Sequence, residues 1–246
     1  MTEALGVSKG TQVMMDFHLY YWSLPFRGQF IRAILAHAGK SWFETDDDTI
    51  YKLIKGPVRD MPAPFKGPPL LIDNGTGFAI AQMPAIVLYL GETLNLLPPT
   101  AGLRAVTMKT VNDVNDVLDE ITQQGGRAMW TAELWEEFIP RFRQWMSIWE
   151  ETGRNHGLTP DGGFLLGGDT LGLADIMTAI LWSTMTDRFD KIRVLLEETA
   201  PMTAALARRV SALPPLAQLA IKARQDYGNA YCGGDIEKSM IKVMTA

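Results

Sequence analysis

Hydrophobic positions in the first hundred residues switch between the spacing of strands and the spacing of helices. The run FHLYYW (17–22) predicts a strand, and apolar residues then recur three and four apart over about 26–38, which is typical of an amphipathic helix. A polar, proline-rich stretch follows over 44–69, where a second strand is expected to begin. The segments PPLLID and GFAIA predict two strands joined by the turn signal NGTG, and a helix follows from Met83 to about Leu94.

The pattern changes near NLLPPTAG, and helical spacing dominates the rest of the chain. The predicted helices cover roughly 102–124, 131–153, 172–186, 188–198, 201–211 and 214–226. We therefore expect a leader (1–15), an α/β domain (16–97) and an all-α domain (98–246), with the linker near 95–102.

Composition narrows the class of protein. A hydrophobic content of 47% with 21% charged residues is typical of a globular protein, and 246 residues allow one large or two modest domains. The formal net charge of −5 argues against nucleic acid and anionic membrane surfaces as partners. The longest apolar stretch, over 173–185, contains Asp175 and is too short and too charged to span a bilayer. The single cysteine, Cys232, permits no internal disulfide, which favours a cytoplasmic location.

The segment YYWSLPFRGQFIRAIL (20–35) carries two hydroxyl groups where a strand end meets a helix start. Unpaired backbone N–H groups at a helix N-terminus favour anions, so Tyr21 and Ser23 are candidates for chemistry on an anionic ligand. The residues alone also allow two plainer interpretations. Tyr21 could be a half-buried strand aromatic, and Ser23 could be the N-cap of the helix.

The order of elements and five local motifs resemble the cytosolic glutathione S-transferases of the tyrosine type (mu and pi classes). Counting back without gaps from Ile31–Arg32 and Gly39 puts Tyr21 in the position of the catalytic tyrosine. GPPLLID resembles the segment with the family's cis-proline, here Pro69, and AQMPAIVLYLGE resembles the motif that opens the third helix. TVNDVND and GGDTLGLADI resemble motifs of the helical domain, so the resemblance covers nearly the whole chain except both tails.

This resemblance implies a thioredoxin-like N-terminal domain that binds glutathione and an all-helical C-terminal domain that forms the hydrophobic-substrate site. It implies a detoxification enzyme that uses glutathione as co-substrate without a metal and acts on a small hydrophobic electrophile, in a homodimer. A thiol of pKa about 8.5 is mostly protonated at neutral pH, and a hydroxyl donor stabilises its reactive thiolate. Tyr21 is the expected donor, and Ser23 is the alternative because SLPFR fits the Ser-x-Pro-x-Arg pattern of the serine-type classes.

The resemblance also assigns glutathione contacts around this hydroxyl. Trp22 would line the pocket, and Arg27 would pair with a carboxylate of glutathione. Gln82 would bind the γ-glutamyl group. Pro68 precedes the predicted cis-proline and lacks the N–H that the family uses there, and Met83 replaces a residue that usually carries a hydroxyl. These two departures predict weaker glutathione binding in the same mode, with the Met83 backbone N–H still facing an anion.

Other positions follow from the same comparison. Asp113 is expected near the glutathione of the partner subunit, and Lys52, Lys55 or Arg59 near the glycyl carboxylate. Asp175 is expected to have a structural role in the helical domain. The wall of the hydrophobic-substrate site is expected to come from a set of aromatic and apolar residues: Trp22, Phe26, Met129–Trp130 and Tyr227–Tyr231.

Other functions remain open at this stage. The chain could be a glutathione- or hydrophobe-binding protein with weak or no catalysis, since Pro68 and Met83 depart from the family pattern. Glutathione-dependent ring opening or ether cleavage would need the same thiolate. Thiol–disulfide chemistry is disfavoured because no cysteine lies near the first helix and Cys232 lies far along the chain.

Overall fold

A four-stranded sheet organises the first part of the chain in the computed structural model, which describes residues 15–245. Its strands are β1 (Phe17–Tyr20), β2 (Trp42–Thr45), β3 (Leu70–Asp73) and β4 (Ala79–Ala81), in the order β2-β1-β3-β4. β1 runs parallel to β2 and antiparallel to β3, which pairs antiparallel with β4. With its helices this sheet forms the predicted thioredoxin-like arrangement. Apart from Met15, the predicted leader lies outside the described residues.

Three helices accompany the sheet: α1 (Phe26–His37), α2 (Asp47–Lys55) and α3 (Met83–Thr93). The predictions of α1, α3, β3 and β4 are confirmed, and β2 begins at Trp42, slightly before the predicted stretch. α2 was not predicted, because Ile50 is its only buried residue and a single apolar position gives no periodicity. Asp46 starts this helix by accepting the Thr49 N–H at 2.9 Å.

Helices make up the second part of the chain, as predicted. They are α4 (Ala101–Ile121), a short turn α5 (Gln123–Gly126), α6 (Ala132–Asn155), α7 (Leu173–Arg188), α8 (Asp190–Thr199), α9 (Pro201–Ser211), α10 (Pro214–Tyr227) and α11 (Gly234–Met244). α11 was missed, although Ile236, Met240 and Val243 bury one of its faces with helical spacing. Within residues 15–245, no helix combines the length and the apolar character that crossing a membrane requires.

α7 forms the centre of the helical part, since it is buried along most of its length and packs against α1, α4 and α9. The hydrogen bonds at the start of α7 agree with the structural role predicted for Asp175. This carboxylate accepts the N–H groups of Leu165 at 2.7 Å and Gly172 at 2.9 Å, and burial raises its pKa to about 6. Asp175 thus connects the preceding loop to the first turn of α7.

Candidate functional site

The register of the sheet brings three predicted site segments to one edge. Tyr20 pairs with Leu70, and Leu70 pairs with Ala81. Tyr21, Pro69 and Gln82 each lie one residue beyond this row, and the Gln82 N–H donates to the Pro69 carbonyl at 3.1 Å. The end of β1, the approach to β3 and the start of α3 therefore meet at one place, although they are far apart in the sequence.

The segment before β3 and the start of α3 have an unusual backbone. The Pro68–Pro69 bond is cis, as predicted. Gln82 is exposed and has φ 75° and ψ 121°, a conformation that non-glycine residues adopt rarely and often at functional sites. The N–H of Met83, the first residue of α3, has no acceptor among the described residues. An anion would find an unpaired donor there.

Met83 itself is not a surface residue. Its side chain packs into the core and the residue is only 1% exposed. The sequence predicted a contact from this position to glutathione, and the structure leaves only the backbone available for it. The thioether packs on the hydrophobic side of α3, so the core accommodates Met where the resemblance predicted a residue with a hydroxyl.

Tyr21 lies against the first turn of α1. Its hydroxyl oxygen accepts the backbone N–H of Arg27 at 2.9 Å, and its ring packs directly on Gly28. The residue is 4% exposed, and burial raises the pKa of its hydroxyl to about 12. The nearby positive charges of Arg27 and Arg32 lower this pKa and so oppose part of the effect of burial. The phenol therefore stays protonated at neutral pH. Since its oxygen acts as the acceptor toward Arg27, its own proton is free to be donated elsewhere.

Ser23 has a different partner from the one the sequence suggested. Its hydroxyl and its backbone N–H both donate to the same oxygen of Asp47, at 3.1 and 2.9 Å. α1 begins only at Phe26, and Pro25 occupies its N-cap position without a side-chain hydrogen bond. The interpretation of Ser23 as the helix cap is therefore wrong, because the chain continues for two more residues before it turns into the helix.

Arg32 holds this loop in place, and the sequence analysis did not single it out. The residue is 2% exposed, and its guanidinium binds both carboxylate oxygens of Glu44 on β2, at 2.8 and 2.6 Å. It also donates to the carbonyl of Leu24 at 2.9 Å. An arginine between the buried apolar positions of α1 was the available signal, since a buried charge requires partners.

The remaining predicted contacts are spread around the start of α1. The Arg27 Nε donates to Asn115 Oδ1 on α4 at 3.2 Å, which leaves its other guanidinium nitrogens without partners in residues 15–245. Trp22 is partly buried and packs against the core. Asp113 forms an ion pair with Lys109 on its own helix. The three candidates for the glycyl carboxylate are exposed, on or just after α2: Lys52, Lys55 and Arg59.

Two aromatic residues of the predicted wall of the hydrophobic-substrate site are buried in the core. Trp130 is buried, and its indole N–H donates to the Ile121 carbonyl at 2.8 Å, so it belongs to the core. Tyr231 is also buried; its carbonyl accepts the Phe26 N–H at 3.2 Å, and its ring meets the Phe26 ring edge-on at 5.5 Å. The C-terminal segment thus crosses the first residue of α1.

A cavity of about 590 Å³ lies between β2 and α10. Tyr21, Trp42 and Tyr227 line it, together with the Arg32–Glu44 ion pair. Pro68, Pro69, Gln82 and Met83 take no part in it. Of the predicted site residues, Tyr21 and Ser23 thus line this cavity, and the segment before β3 and the start of α3 lie outside it. In the described part of the chain, no group of three or more histidine, cysteine or acidic side chains is arranged to hold a metal ion.

Comparison with known proteins identifies the family of this chain. A family model described as "Glutathione S-transferase, C-terminal domain" matches residues 106–243, more than half of the chain. Comparison with curated protein sequences gives no significant match.

Solved structures of nematode proteins share the fold. A Pi-class glutathione S-transferase of Onchocerca volvulus matches with a TM-score of 0.71 and 17% identity, covering 90% of this chain and 99% of that one. A hookworm glutathione S-transferase from Necator americanus, described as monomeric, matches with a TM-score of 0.68 and 20% identity, covering 84% of this chain and 97% of that one. A Nu-class glutathione S-transferase of Haemonchus contortus matches with a TM-score of 0.67 and 21% identity, covering 85% of this chain and 98% of that one.

Proposed function

This chain belongs to the glutathione S-transferase family, and from that premise we propose that it activates the thiol of glutathione for attack on a small hydrophobic electrophile. Tyr21 donates the hydrogen bond that stabilises the thiolate. The N-terminal unit (16–97) binds glutathione, and the helical unit (98–246) supplies the surface for the electrophile. The single cysteine agrees with a reducing compartment such as the cytoplasm.

The observation that carries this proposal is the difference between the two candidate hydroxyl groups. The Tyr21 hydroxyl oxygen accepts the Arg27 N–H, so its own proton remains available for a ligand. The Ser23 hydroxyl already donates its hydrogen bond to Asp47. A donor is needed because a free thiol of pKa about 8.5 is mostly protonated at neutral pH. A hydrogen bond to sulfur stabilises the thiolate and lowers the pKa of the thiol.

The positions of the other groups support one orientation of glutathione. The sulfur lies at the first turn of α1, near the Tyr21 hydroxyl. The cysteinyl backbone meets the carbonyl of Pro68, and the γ-glutamyl carboxylate meets Gln82 and the free N–H of Met83. Pro68 offers no N–H, so one backbone hydrogen bond to the tripeptide is missing and modest affinity follows.

Paired variants of the two hydroxyl residues test the proposal. Tyr21→Phe should raise the pKa of bound glutathione by about one to two units, because a hydrogen bond to a charged group contributes about 1.5–3 kcal/mol. The pKa is read from thiolate absorbance against pH, and turnover is measured with a model aromatic halide. Ser23→Ala is the matched control and should change both far less. A larger effect of Ser23→Ala would assign the chemistry to the serine instead.

A second candidate function rests on the two departures from the family pattern. With no N–H at Pro68 and no hydroxyl at Met83, the chain could bind glutathione or a hydrophobic molecule with little catalysis. A calorimetric glutathione titration beside activity assays with an aromatic halide, an epoxide and a peroxide separates the candidates. Binding without turnover of any of the three would favour the binding protein, and turnover of the epoxide alone would favour ring opening.

A further inference from the structure

The C-terminal segment 228–233 crosses the start of α1 and reaches its first backbone donors. The Tyr231 carbonyl accepts the N–H of Phe26 at 3.2 Å, and the Tyr21 hydroxyl accepts the N–H of the next residue, Arg27, at 2.9 Å. The first N–H groups of a helix have no acceptor within the helix itself. Two neighbouring donors of α1 are therefore shared between the C-terminal segment and the hydroxyl proposed to act on glutathione.

Phe26 has a backbone conformation that needs support from its surroundings. Its φ is 27°, a left-handed value that non-glycine residues rarely adopt. Such a conformation persists only where neighbouring contacts impose it. Besides the hydrogen bond from the Phe26 N–H, the two aromatic rings of Phe26 and Tyr231 meet edge-on at 5.5 Å. The C-terminal segment thus contacts this strained residue through both its backbone and its side chain.

A buried carboxylate holds the C-terminal segment in this position. Glu237 of α11 is only 6% exposed. One of its oxygens accepts three consecutive backbone N–H groups, those of Tyr231, Cys232 and Gly233, at 2.9, 3.0 and 2.6 Å. Its other oxygen accepts the Nε–H of Arg188 on α7 at 3.1 Å. Hydrogen bonds to an ionised acceptor are stronger than neutral ones, so Glu237 fixes this segment firmly to the helical part of the chain.

We propose that Glu237 is a positioning residue for the Tyr21 hydroxyl, an inference that rests on the proposed function of that hydroxyl. The carboxylate holds the C-terminal segment, the segment holds the left-handed turn at Phe26, and this turn keeps the Arg27 N–H on the Tyr21 oxygen. A hydrogen bond donated to the phenol oxygen polarises its O–H bond, so the phenol becomes a stronger donor. Without the Glu237 carboxylate, the first turn of α1 relaxes and the thiolate loses part of its stabilisation.

Glu237→Gln tests the proposal, with Glu150→Gln as the matched control. Glu150 is also 6% exposed, and its carboxylate accepts the N–H groups of Met202 and Thr203 at the start of α9, at 3.1 and 3.0 Å. Urea unfolding should show that both variants lose stability. Only Glu237→Gln should raise the pKa of bound glutathione, by about half a unit, and lower kcat at neutral pH about threefold, because the weakened phenol still donates. The KM for glutathione should stay unchanged in both.

Amide hydrogen exchange supplies a readout that needs no glutathione. The N–H groups of Phe26 and Arg27 should exchange several times faster in Glu237→Gln and stay protected in Glu150→Gln. This measurement tests the link between the C-terminal segment and α1 separately from the chemistry. If Tyr21→Phe leaves the pKa of bound glutathione unchanged, the proposed function fails, and unchanged exchange in Glu237→Gln would still overturn the link.

Arg188→Gln is a milder variant, because it removes the ion pair of Glu237 and leaves the carboxylate in place. It should shift the thiol pKa and the exchange rates in the same direction as Glu237→Gln. Where Tyr21→Phe raises the thiol pKa, no increase in Glu237→Gln, or an equal increase in Glu150→Gln, would overturn the proposal. If circular dichroism shows that Glu237→Gln does not fold, Arg188→Gln decides, and unchanged exchange at Phe26 in that variant would overturn it.

Discussion

The ring of Tyr21 lies where the Cβ atom of Gly28 would be. An ideal Cβ at Gly28 would come within 2.2 Å of Tyr21 Cδ1 and within 2.9 Å of two further ring atoms. Such distances are far shorter than any van der Waals contact, so no other residue fits at this point of α1 without displacement of the ring. The absence of a side chain at Gly28 therefore positions the hydroxyl proposed to act on glutathione.

Gly28→Ala should destabilise the protein and reduce activity together. In a helix interior this change normally stabilises by about 0.5–1 kcal/mol, but here the clash should reverse the sign and cost about 1–3 kcal/mol. The free energy of unfolding is measured with urea, and the pKa of bound glutathione reports the Tyr21 hydroxyl. Gly102→Ala on α4 is the control, because its Cβ would meet nothing within 4 Å. Equal stabilisation by both changes would contradict the contact.

Arg32→Met should cost much more stability than loss of a surface ion pair. It removes the cationic partner of Glu44, which then keeps only the Trp42 indole N–H, and breaking a fully buried pair would cost about 3–5 kcal/mol, an upper bound for this half-buried carboxylate. Arg104→Gln breaks the exposed pair with Glu92 and should cost at most about 1 kcal/mol. Urea unfolding compares the two. Similar small losses would mean that Arg32 does not hold the loop before α1.

Asp113→Ala tests the proposed homodimer and the contribution of the partner subunit. Asp113 pairs with Lys109 on its own helix, and the same carboxylate is proposed to approach the γ-glutamyl amine bound by the other subunit. We expect a higher KM for glutathione with kcat nearly unchanged, and a dimer by analytical ultracentrifugation. Asp119→Ala, an exposed carboxylate of the same helix, is the control. A monomer, or equal KM values for both variants, would refute the proposal.

Ionisation of Asp175 should make stability depend on pH. Burial raises its pKa from 3.8 to about 6, so the folded state binds a proton more tightly than the unfolded state. The resulting stabilisation is complete below about pH 4 and is lost as the pH rises through 6, by up to about 3 kcal/mol. Urea unfolding of the protein and of Asp175→Asn at pH 4.5 and 7 isolates this residue. The difference between them should change across this interval, and a constant difference would contradict the raised pKa.

Local patterns were sufficient for the elements that bury a repeating apolar face. The spacing of hydrophobic residues predicted α1, α3 and most helices of the second part of the chain. The cis bond at Pro69 was predicted by the family resemblance of its segment. α2 was missed because it buries only Ile50. α11 was missed even though its spacing is helical.

The partners of the site residues depended on the tertiary structure. Ser23 meets Asp47, and Arg27 meets Asn115, 24 and 88 residues away along the chain. The order of residues cannot specify such pairs, because they depend on how α2 and α4 pack against the start of α1. The fold also turns the Met83 side chain into the core, and the first turn of α1 places the Arg27 N–H on the Tyr21 hydroxyl oxygen, which leaves the Tyr21 proton free. The sequence determined which hydroxyl groups stand at the helix start, and only the fold decided which one keeps its proton.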